Sequence, residues 1–215
     1  MDEYSIAKNF NQYFRIIFAD TKKLRQAAFK IRYSVYCTEM GWEPKNNLEM
    51  ETDDYDDYSF HCLLEHRQTK TFAGSIRLVI PPVNQPNLEL AFEKNCLHSA
   101  RPEIIDSTTL KRGSFGEISR LAVLDTFRRR QKEQNTPFII NTVNPETVFT
   151  EDERRNFPNI AIGLYLAGLS LAIMCNHVGG FVMMEPRLNK RLIRFGLPFK
   201  QVGDKINYHG MRALF

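Results

Sequence analysis

The chain has 215 residues, and its 29 Lys and Arg against 25 Asp and Glu give a formal net charge of +4. Hydrophobic residues make up 43% and charged residues 25%, which is typical of a globular protein, excludes a disordered chain and fits one domain at this length. The sequence has no dense basic stripe interleaved with aromatic residues, so we expect no nucleic-acid partner. The mild positive charge would suit an acidic protein partner as well as a nucleic acid.

The N-terminal half is predicted to contain short strands and one long helix. Residues 13–18 (YFRIIF) are aromatic and β-branched, and they predict a first strand. Asp20 is a suitable helix cap, and Gly41 ends the helical pattern that follows it. The apolar positions of that pattern are Leu24, Ala28, Ile31 and Val35. Two further strands are predicted over 60–64 and 72–80, joined by a polar turn.

A second group of elements is predicted in the C-terminal half. A strong strand over 117–124 (EISRLAVL) precedes a polar and charged stretch, 131–158, that we interpret as an insertion or a mobile lid. The remaining elements are a helix over 159–176 closed by Gly179-Gly180, a strand over 181–185, a short helix ending at Gly196 and a terminal hairpin over 199–215. This order predicts a mixed α/β domain and not an alternating, doubly wound one.

Metal sites, disulfides and membrane segments find no support in the sequence. The four cysteines are scattered without CxxC spacing and the histidines show no ligand spacing, so we expect no metal site and no disulfide framework. The N-terminal MDEYSIAKNFNQYF lacks the apolar core of a signal peptide. The longest apolar run, 160–174, has 15 residues, whereas a bilayer span needs about 20. We therefore expect no transmembrane segment and a cytoplasmic location.

Three segments carry a more specific signal. They are residues 32–42 (RYSVYCTEMGW) with 51–56 (ETDDYD), then 74–78 (GSIRL), and then 117–123 (EISRLAV). Together they resemble the signature of the acyl-homoserine-lactone synthases. That signature has an Arg, an aromatic residue four positions on, a Trp ten positions on, an E-x-D-x-aromatic-D run, a G-x-x-R-L strand and an E-x-S-R strand. Tyr36 is a departure, because those synthases usually have Phe there.

The resemblance implies a fold and an activity. The fold would be α/β (α+β) and GNAT-like, with a central mixed, twisted sheet flanked by helices, in a single acyltransferase domain over residues 1–215. Residues 184–188 (MEPRL) and 208–212 (YHGMR) are more similar to the N-acyl amino acid synthases and to acyltransferases associated with the exosortase (PEP-CTERM) system. We therefore expect an N-acyltransferase that moves a long acyl chain from an acyl carrier protein to the amine of an amino acid or similar small acceptor.

Two alternative functions stay open. One is an acyl-homoserine-lactone (autoinducer) synthase that uses S-adenosylmethionine, since no residue in the sequence selects the acceptor. The other is a non-catalytic module that binds acyl carrier protein. Retention of both Glu51 and Glu117 argues against that module, because decayed enzymes tend to lose acidic residues while they keep the fold.

The resemblance also implies how the acyl donor binds. In GNAT-like folds the strand equivalent to 117–124 holds the thioester, and its splayed backbone N–H groups, here those of Leu121, Ala122 and Val123, polarise the carbonyl. Members that use coenzyme A carry a glycine-rich loop next, whereas residues 128–134 (RRRQKEQ) contain no glycine. We therefore expect no cofactor, an acyl-carrier-protein thioester in preference to acyl-CoA, and donor contacts from Arg128 and Arg129. A solvated basic loop is the alternative interpretation.

The remaining site residues come from the same signature. Glu51 and Glu117 are the candidates for general base and acceptor positioning, although the resemblance does not settle which one moves the proton. Tyr36, Trp42 and Arg77 are expected at the donor and substrate pocket, the two aromatic residues along the pantetheine or acyl tunnel. A structural ion-pair network is expected among Arg32, Asp53, Asp56 and Arg120. Outside such a constellation, a lone Glu on a strand is more often structural.

Glu117 and Arg120 pose a geometric question. Residues three apart on a regular strand point to opposite faces of the sheet. If both side chains reach the same cleft, the strand must be bulged between them, as strands beside active sites often are. Otherwise Glu117 faces the acceptor while Arg120 ties to Asp53 or Asp56.

Overall fold

A computed structural model describes residues 3–106, 108–128 and 149–215, with side chains from residue 7 onward. Its seven-stranded sheet has the order β1-β2-β3-β4-β5-β7-β6. The strands are β1 Phe14–Phe18, β2 Ser59–His66, β3 Phe72–Val79, β4 Phe115–Val123, β5 Gly179–Met184, β6 Ile206–Asn207 and β7 Met211–Leu214. Strand β4 runs parallel to β5, whereas β1 with β2, β5 with β7 and β6 with β7 are antiparallel. The sheet is therefore mixed, as predicted.

The described residues also form six α-helices. They are α1 Glu3–Tyr13, α2 Lys22–Arg32, α3 Ala91–Cys96, α4 Glu151–Asn156, α5 Ile160–Met174 and α6 Pro186–Arg194. Helix α2 continues directly into a π-helical segment, Tyr33–Glu39. The predicted α/β, GNAT-like class, with a mixed sheet flanked by helices, is confirmed, whereas α1 was not predicted.

The described chain divides into two compact units, each assembled from three segments. Unit 1 consists of Met1–Glu51, Cys62–Ser75 and Leu121–Leu164. Unit 2 consists of Thr52–His61, Ile76–Arg120 and Tyr165–Phe215. The chain thus enters each unit repeatedly, and strands β2, β3 and β4 contribute residues to both. Our assignment of one domain to residues 1–215 stays a prediction.

The core of unit 1 is formed by the apolar face of α2 and its π-helical continuation. Ala28, Ile31 and Val35 pack with Leu63 of β2 and Ala122 of β4. The helical spacing of these apolar residues is therefore explained by burial, as predicted. The cap differs from the prediction: the Thr21 side chain, and not that of Asp20, accepts the hydrogen bond from the Leu24 N–H at 3.3 Å.

A second cluster in unit 1 surrounds His66, which is fully buried at the end of β2. Its Nε2 lies 3.1 Å from Oε1 of the buried Glu153, and its Nδ1 lies 2.9 Å from the Thr69 hydroxyl. The His66 ring contacts the rings of Phe14, Phe127 and Phe149. These three rings form one aromatic cluster with the ring of Phe157. Glu153 also closes a capping box with Thr150 at the start of α4.

Because Glu153 serves both the helix cap and a buried histidine, its loss should be felt throughout unit 1. We expect Glu153→Ala to lower the free energy of unfolding by about 1–3 kcal/mol, since it leaves buried polar groups without their partner. Denaturant unfolding measures the change. Glu151→Ala on the same helix is the matched control, because that side chain is 92% exposed and should shift stability by less than about 0.5 kcal/mol. Equal losses in the two variants would contradict this assignment.

The predicted insertion over 131–158 is only partly described. Its C-terminal end is the short helix α4 followed by a single 3-10 turn, Phe157–Asn159, and both Glu153 and Phe157 are buried there. This end therefore packs into unit 1 although its sequence is polar. Residues 131–148 of the predicted insertion lie outside the described residues.

Unit 2 has an aromatic core between α3 and the strands beside it. The rings of Phe92 and Phe181 lie 4.5 Å apart between centroids, and Phe115 meets Phe181 edge-on at 5.5 Å. Gly116 permits the close packing of β4 against β3, since a Cβ at this position would lie 2.6 Å from the Val79 carbonyl oxygen. This packing places the residues after Gly116 on a fixed strand.

Helix α5 is the most apolar element. Together with α4 and the intervening turn it forms a 24-residue helical stretch, Glu151–Met174, that is long and apolar enough to cross a bilayer. Of its most apolar window, 44% is buried in the protein, and a core helix has the same length and composition, so this is weak evidence for a membrane span. The helix ends at Met174, and Asn176, whose φ is +58°, follows it, whereas Gly179-Gly180 begin β5.

Candidate active site

The acidic run after residue 51 is folded into a tight turn by its own carboxylates. Asp53 caps the 3-10 helix Asp54–Tyr58, with its Oδ1 accepting the Tyr55 N–H at 3.1 Å. Asp56 returns the interaction, because its Oδ2 accepts the Asp53 N–H at 2.9 Å. The three-residue spacing therefore forms a reciprocal capping box. It also brings the Oδ1 atoms of both carboxylates within reach of one donor.

Arg77 of β3 occupies the position between those two carboxylates. Its side chain is fully buried, and its Nη1 donates to Oδ1 of Asp53 and, at 2.9 Å, to Oδ1 of Asp56. Its Nε donates to the Ser119 hydroxyl at 3.1 Å, and its guanidinium lies 5.8 Å from the Tyr55 ring centroid. A buried guanidinium with two anionic partners is stabilised only as long as both partners stay in place.

Arg120 joins the same network through an irregularity in β4. Its Nη2 lies 3.0 Å from Oδ2 of Asp53. Its backbone has a φ of +51°, which is uncommon for a residue with a side chain and interrupts the alternation of the strand. This irregularity brings Arg120 to the side on which Ser119 and Glu117 already lie. The structure thus combines features of our two alternatives, because the strand is irregular at Arg120 and Arg120 is tied to Asp53.

Glu117 is a buried carboxyl group that forms no ion pair with the part of the chain that the structure describes. One carboxylate oxygen, Oε2, accepts the Phe92 N–H of α3 at 2.8 Å. Burial raises the pKa of Glu117 to about 7, although the Phe92 N–H and the charges of Arg77 and Arg120 act to lower it. Both arginines are already paired with Asp53 and Asp56, so desolvation prevails. Glu117 is thus half ionised near neutral pH, as a general base should be.

The two central strands separate just beyond Glu117. The parallel pairing of β4 with β5 runs from Phe115↔Gly179 to Ile118↔Val182. Strand β5 then pairs with β7 through Met183 and Met184, whereas β4 continues to Val123. Such a divergence is the geometry that we expect where backbone N–H groups meet a thioester. The donor roles of Leu121, Ala122 and Val123 stay predictions.

Glu51, the second candidate base, lies in unit 1 and has an arginine partner. Its carboxylate accepts from Nε of Arg32, and both side chains are buried. The Glu51 N–H also donates to the Phe29 carbonyl at 3.1 Å, so the residue is tied to α2 twice. Arg32 thus pairs with Glu51, and Arg77, which we had expected at the pocket, joins Asp53 and Asp56. The membership of Arg32 in the network of Asp53, Asp56 and Arg120 stays a prediction.

Tyr36 and Trp42 are brought together by the π-helical segment of unit 1. The wider turn includes the bond from the Met40 N–H to the Val35 carbonyl, and the Trp42 N–H returns to the Tyr36 carbonyl at 2.8 Å. The two rings stack at 5.9 Å, and the Tyr36 hydroxyl donates to the Leu121 carbonyl at 2.6 Å. Their role along a tunnel stays a prediction.

The Tyr36 hydroxyl links this segment to β4, so its removal has a measurable consequence. We expect Tyr36→Phe to lower the free energy of unfolding by about 0.5–1.5 kcal/mol, because one partly buried hydrogen bond is lost while the ring stack remains. Tyr58→Phe is the control, since its bond to the Glu89 carbonyl is exposed. Thermal unfolding of both variants compares the two. A more stable Tyr36→Phe protein would overturn the structural role of this hydroxyl.

The remaining predicted donor residues are only partly described. Arg128 forms an ion pair with Glu39 at a partly exposed position, and Arg129 lies outside the described residues. Sequence reasoning did not single out Ser119 or the Phe92 N–H as partners in the site. Ser119 was visible within the E-x-S-R motif, whereas a backbone donor leaves no signal in the sequence. In the described ranges, no three His, Cys, Asp or Glu side chains converge as a metal ion requires.

Comparisons with known proteins concern the domain and the fold. Residues 31–136 match the family model of the acetyltransferase (GNAT) domain, and no curated protein sequence matches the chain. Solved structures of similar fold include TofI in a ternary complex with an inhibitor and MTA, at 16% identity and a TM-score of 0.63, covering 93% of this chain and 89% of that one.

Two further solved structures have a similar fold. MesI, a CoA-dependent acyl-homoserine lactone synthase, has 18% identity and a TM-score of 0.57, covering 94% of this chain and 86% of that one. FeeM, an N-acyl amino acid synthase from uncultured soil microbes, has 12% identity and a TM-score of 0.56, with coverages of 94% and 88%. At these identities the likeness is one of fold.

Proposed function

We propose that this protein moves an acyl group from the thioester of an acyl carrier protein to the amine of an amino acid or similar small acceptor. The match of residues 31–136 to the acetyltransferase (GNAT) domain, the domain of an acyltransferase, supports this reaction class. The observation that carries the proposal is Glu117: a buried carboxyl group with a pKa of about 7, on the strand that separates from its parallel neighbour. A base of this pKa matches an amine that must lose a proton as it attacks.

The reaction needs few steps from the protein. The amine nitrogen attacks the thioester carbonyl, and Glu117, directly or through a water molecule, accepts the proton that the nitrogen loses. Backbone N–H groups of β4 stabilise the oxyanion that forms. The C–S bond then breaks, the thiolate leaves with a proton, and an amide remains. Glu117 becomes neutral as it takes the proton, so one negative charge passes from its carboxylate to the oxyanion and then to the thiol sulfur.

Glu51 has a different part in this proposal. Its carboxylate is already compensated by Arg32, and the pair ties the residues after the π-helical segment back to α2. We therefore assign the proton transfer to Glu117 and a positioning role to Glu51. Asp53, Asp56, Arg77 and Arg120 hold β3 and β4 in register around Glu117 and set its electrostatic environment.

The acceptor is a feature in which known proteins of this fold differ. Folds of this type are found both in FeeM, an N-acyl amino acid synthase, and in MesI, a CoA-dependent acyl-homoserine lactone synthase. A lactone synthase therefore remains the second candidate, and carrier protein, long acyl chain, exosortase association and cytoplasmic location belong to the proposal. The absence of glycine from residues 128–134 favours the carrier protein over CoA.

Mass spectrometry of lipids from a host that expresses the protein decides between the two acceptors. We expect N-acyl amino acids in cells with the wild-type chain and their loss with Glu117→Gln. Acyl-homoserine lactones in place of these amides would establish the second candidate. No new acyl product, with the protein folded and a carrier protein present, would favour the non-catalytic module.

A further inference from the structure

A row of hydrogen-bonded side chains runs from the buried Glu153 to the surface of unit 1. Oε1 of Glu153 lies 3.1 Å from Nε2 of His66, whose Nδ1 lies 2.9 Å from the Thr69 hydroxyl. That hydroxyl lies 2.6 Å from the hydroxyl of Thr71. Glu153 and His66 are buried, Thr69 is half-buried and Thr71 is exposed. The row therefore connects a buried carboxylate with hydroxyl groups that a small molecule in solution can reach.

The direction of these hydrogen bonds follows from one backbone contact. The Thr69 N–H donates to Nδ1 of His66 at 3.4 Å, so Nδ1 carries the lone pair of the ring. The single proton of a neutral imidazole then lies on Nε2 and is donated to Glu153. The Thr69 hydroxyl donates to Nδ1, and the Thr71 hydroxyl donates to Oγ1 of Thr69. The Thr69 hydroxyl thus faces a base, and the base faces a carboxylate.

The surroundings of His66 favour the protonated imidazole that proton transfer would create. Oε2 of Glu153 accepts the Thr150 N–H at 2.5 Å, which fixes the carboxylate and leaves Oε1 for the histidine. A proton taken up at Nδ1 would make the imidazole a cation within hydrogen-bond distance of this anion, in a place where the His66 side chain is fully buried. Aromatic rings, which attract cations, contact the imidazole as well, those of Phe14, Phe127 and Phe149.

The turn between β2 and β3 is closed by its backbone and does not need the two hydroxyl groups. The His66 N–H donates to the Thr71 carbonyl at 2.8 Å, and the Lys70 N–H donates to the His66 carbonyl at 2.9 Å. The hydroxyl groups are therefore available for chemistry. A hydroxyl beside a base that a third group orients is the arrangement by which proteins activate an oxygen nucleophile.

We propose that Thr69 is the nucleophile of a second site, which hydrolyses small carboxylic esters. Oγ1 of Thr69 attacks the ester carbonyl while its proton moves to Nδ1 of His66. The C–O bond of the ester then breaks, the alcohol leaves with that proton, and an O-acyl threonine remains. Water attacks this acyl group, gives a proton to Nδ1, and Oγ1 leaves with that proton. One ester and one water thus give one alcohol and one carboxylic acid.

This second site does not depend on the one around Glu117. Thr69, His66 and Glu153 belong to unit 1, whereas Glu117 belongs to unit 2. The proposal therefore goes beyond amide formation and does not rest on it. Thr69→Val removes the hydroxyl and keeps the shape of the side chain, so it should abolish ester hydrolysis and leave amide formation unchanged.

The test uses p-nitrophenyl acetate as the probe and the full chain with Glu117→Gln as the background. We expect release of p-nitrophenolate and, after an acid quench, an acetyl group on Thr69 that peptide mass spectrometry detects. Hydroxylamine should remove this ester, whereas acetyl groups on lysine resist it. Thr69→Ser should retain the activity, and Glu153→Gln should lower it by about 10²–10⁴-fold, because a neutral amide does not stabilise the imidazolium.

Thr38→Val is the matched control, because it removes the hydroxyl of an exposed threonine of unit 1 outside this row and should leave ester hydrolysis unchanged. Equal rates in Thr69→Val and its parent, or acetyl groups on lysines alone, would overturn the proposal while the proposed function stands. If Glu153→Gln does not fold, the comparison of Thr69→Val with Thr69→Ser decides. Loss of amide formation in a folded Thr69→Val protein would contradict the independence of the two sites.

Discussion

Glu117→Gln should lower turnover by about 10²–10⁴-fold while the protein remains folded, which is the usual share of a general base. Glutamine keeps the oxygen that accepts the Phe92 N–H but cannot take a proton. In the wild-type chain the rate should rise with pH through about 7, since the ionised form is the base. That limb should be absent from the variant. Glu103→Gln, an exposed change in unit 2, is the control and should retain full activity.

The same substitution, Glu117→Gln, should raise the free energy of unfolding although it lowers turnover. The pKa of Glu117 is raised from 4.5 to about 7 in the folded chain. Its protonated form therefore supports the fold below pH 4.5, and this contribution is lost as pH rises through 7. At pH 8 we expect Glu117→Gln to unfold less readily than the wild type, by up to roughly 3 kcal/mol, since one pKa unit corresponds to about 1.4 kcal/mol. A destabilised variant with near-normal turnover would make Glu117 a structural residue.

Arg77→Met should produce the largest loss of stability, about 3–5 kcal/mol, because it leaves the carboxylates of Asp53 and Asp56 without their buried cation. Chemical denaturation at pH 7 measures this change. Asparagine at position 53 or 56 in the Arg77→Met background should recover part of it. In the fraction of the variant that remains folded, the rate should rise at a higher pH than in the wild type, because Arg77 lowers the pKa of Glu117.

The control for Arg77 is an arginine in an exposed ion pair. Arg101→Met removes the pair with Asp204, whose side chains are 45% and 61% exposed, and should cost less than about 1 kcal/mol. Similar losses for the two arginines would show that burial of the network does not matter. No loss in either would remove Arg77 from the structural account of the site.

Most of the helices and strands could be predicted because buried apolar residues recur in the sequence with the period of a helix or a strand. The strands β1 to β5 were predicted within two residues of their observed ends, and the apolar spacing of α2 was confirmed by its packing. Asp20 and Thr21 are equally good helix caps, so the sequence alone could not choose between them. Helix α4 was missed within a polar stretch, since Glu153 is buried only through its pairing with His66.

The sequence indicated which residues belong to the site more readily than which residues pair with one another. The signature predicted a network of Arg32, Asp53, Asp56 and Arg120, and the structure contains the ion pair between Arg120 and Asp53. Arg32 and Arg77 are both buried arginines within signature motifs, and nothing in their local sequence shows which carboxylate each one meets. That pairing depends on tertiary structure. The positive φ of Arg120 likewise depends on the ion pair with Asp53 that holds it.

A protein that forms amides from thioesters with Glu117 as the base must release thiol and form amide in the same reaction. The most direct measurement follows thiol release and amide formation together, with an acyl-carrier-protein thioester and a pool of amino acids, from pH 5 to pH 9. We expect thiol release that depends on the amine, one amide formed for each thiol, and a rate that rises through about pH 7 in the wild type only. Thiol release without an amine requirement, or the same pH limb in Glu117→Gln, would contradict the account.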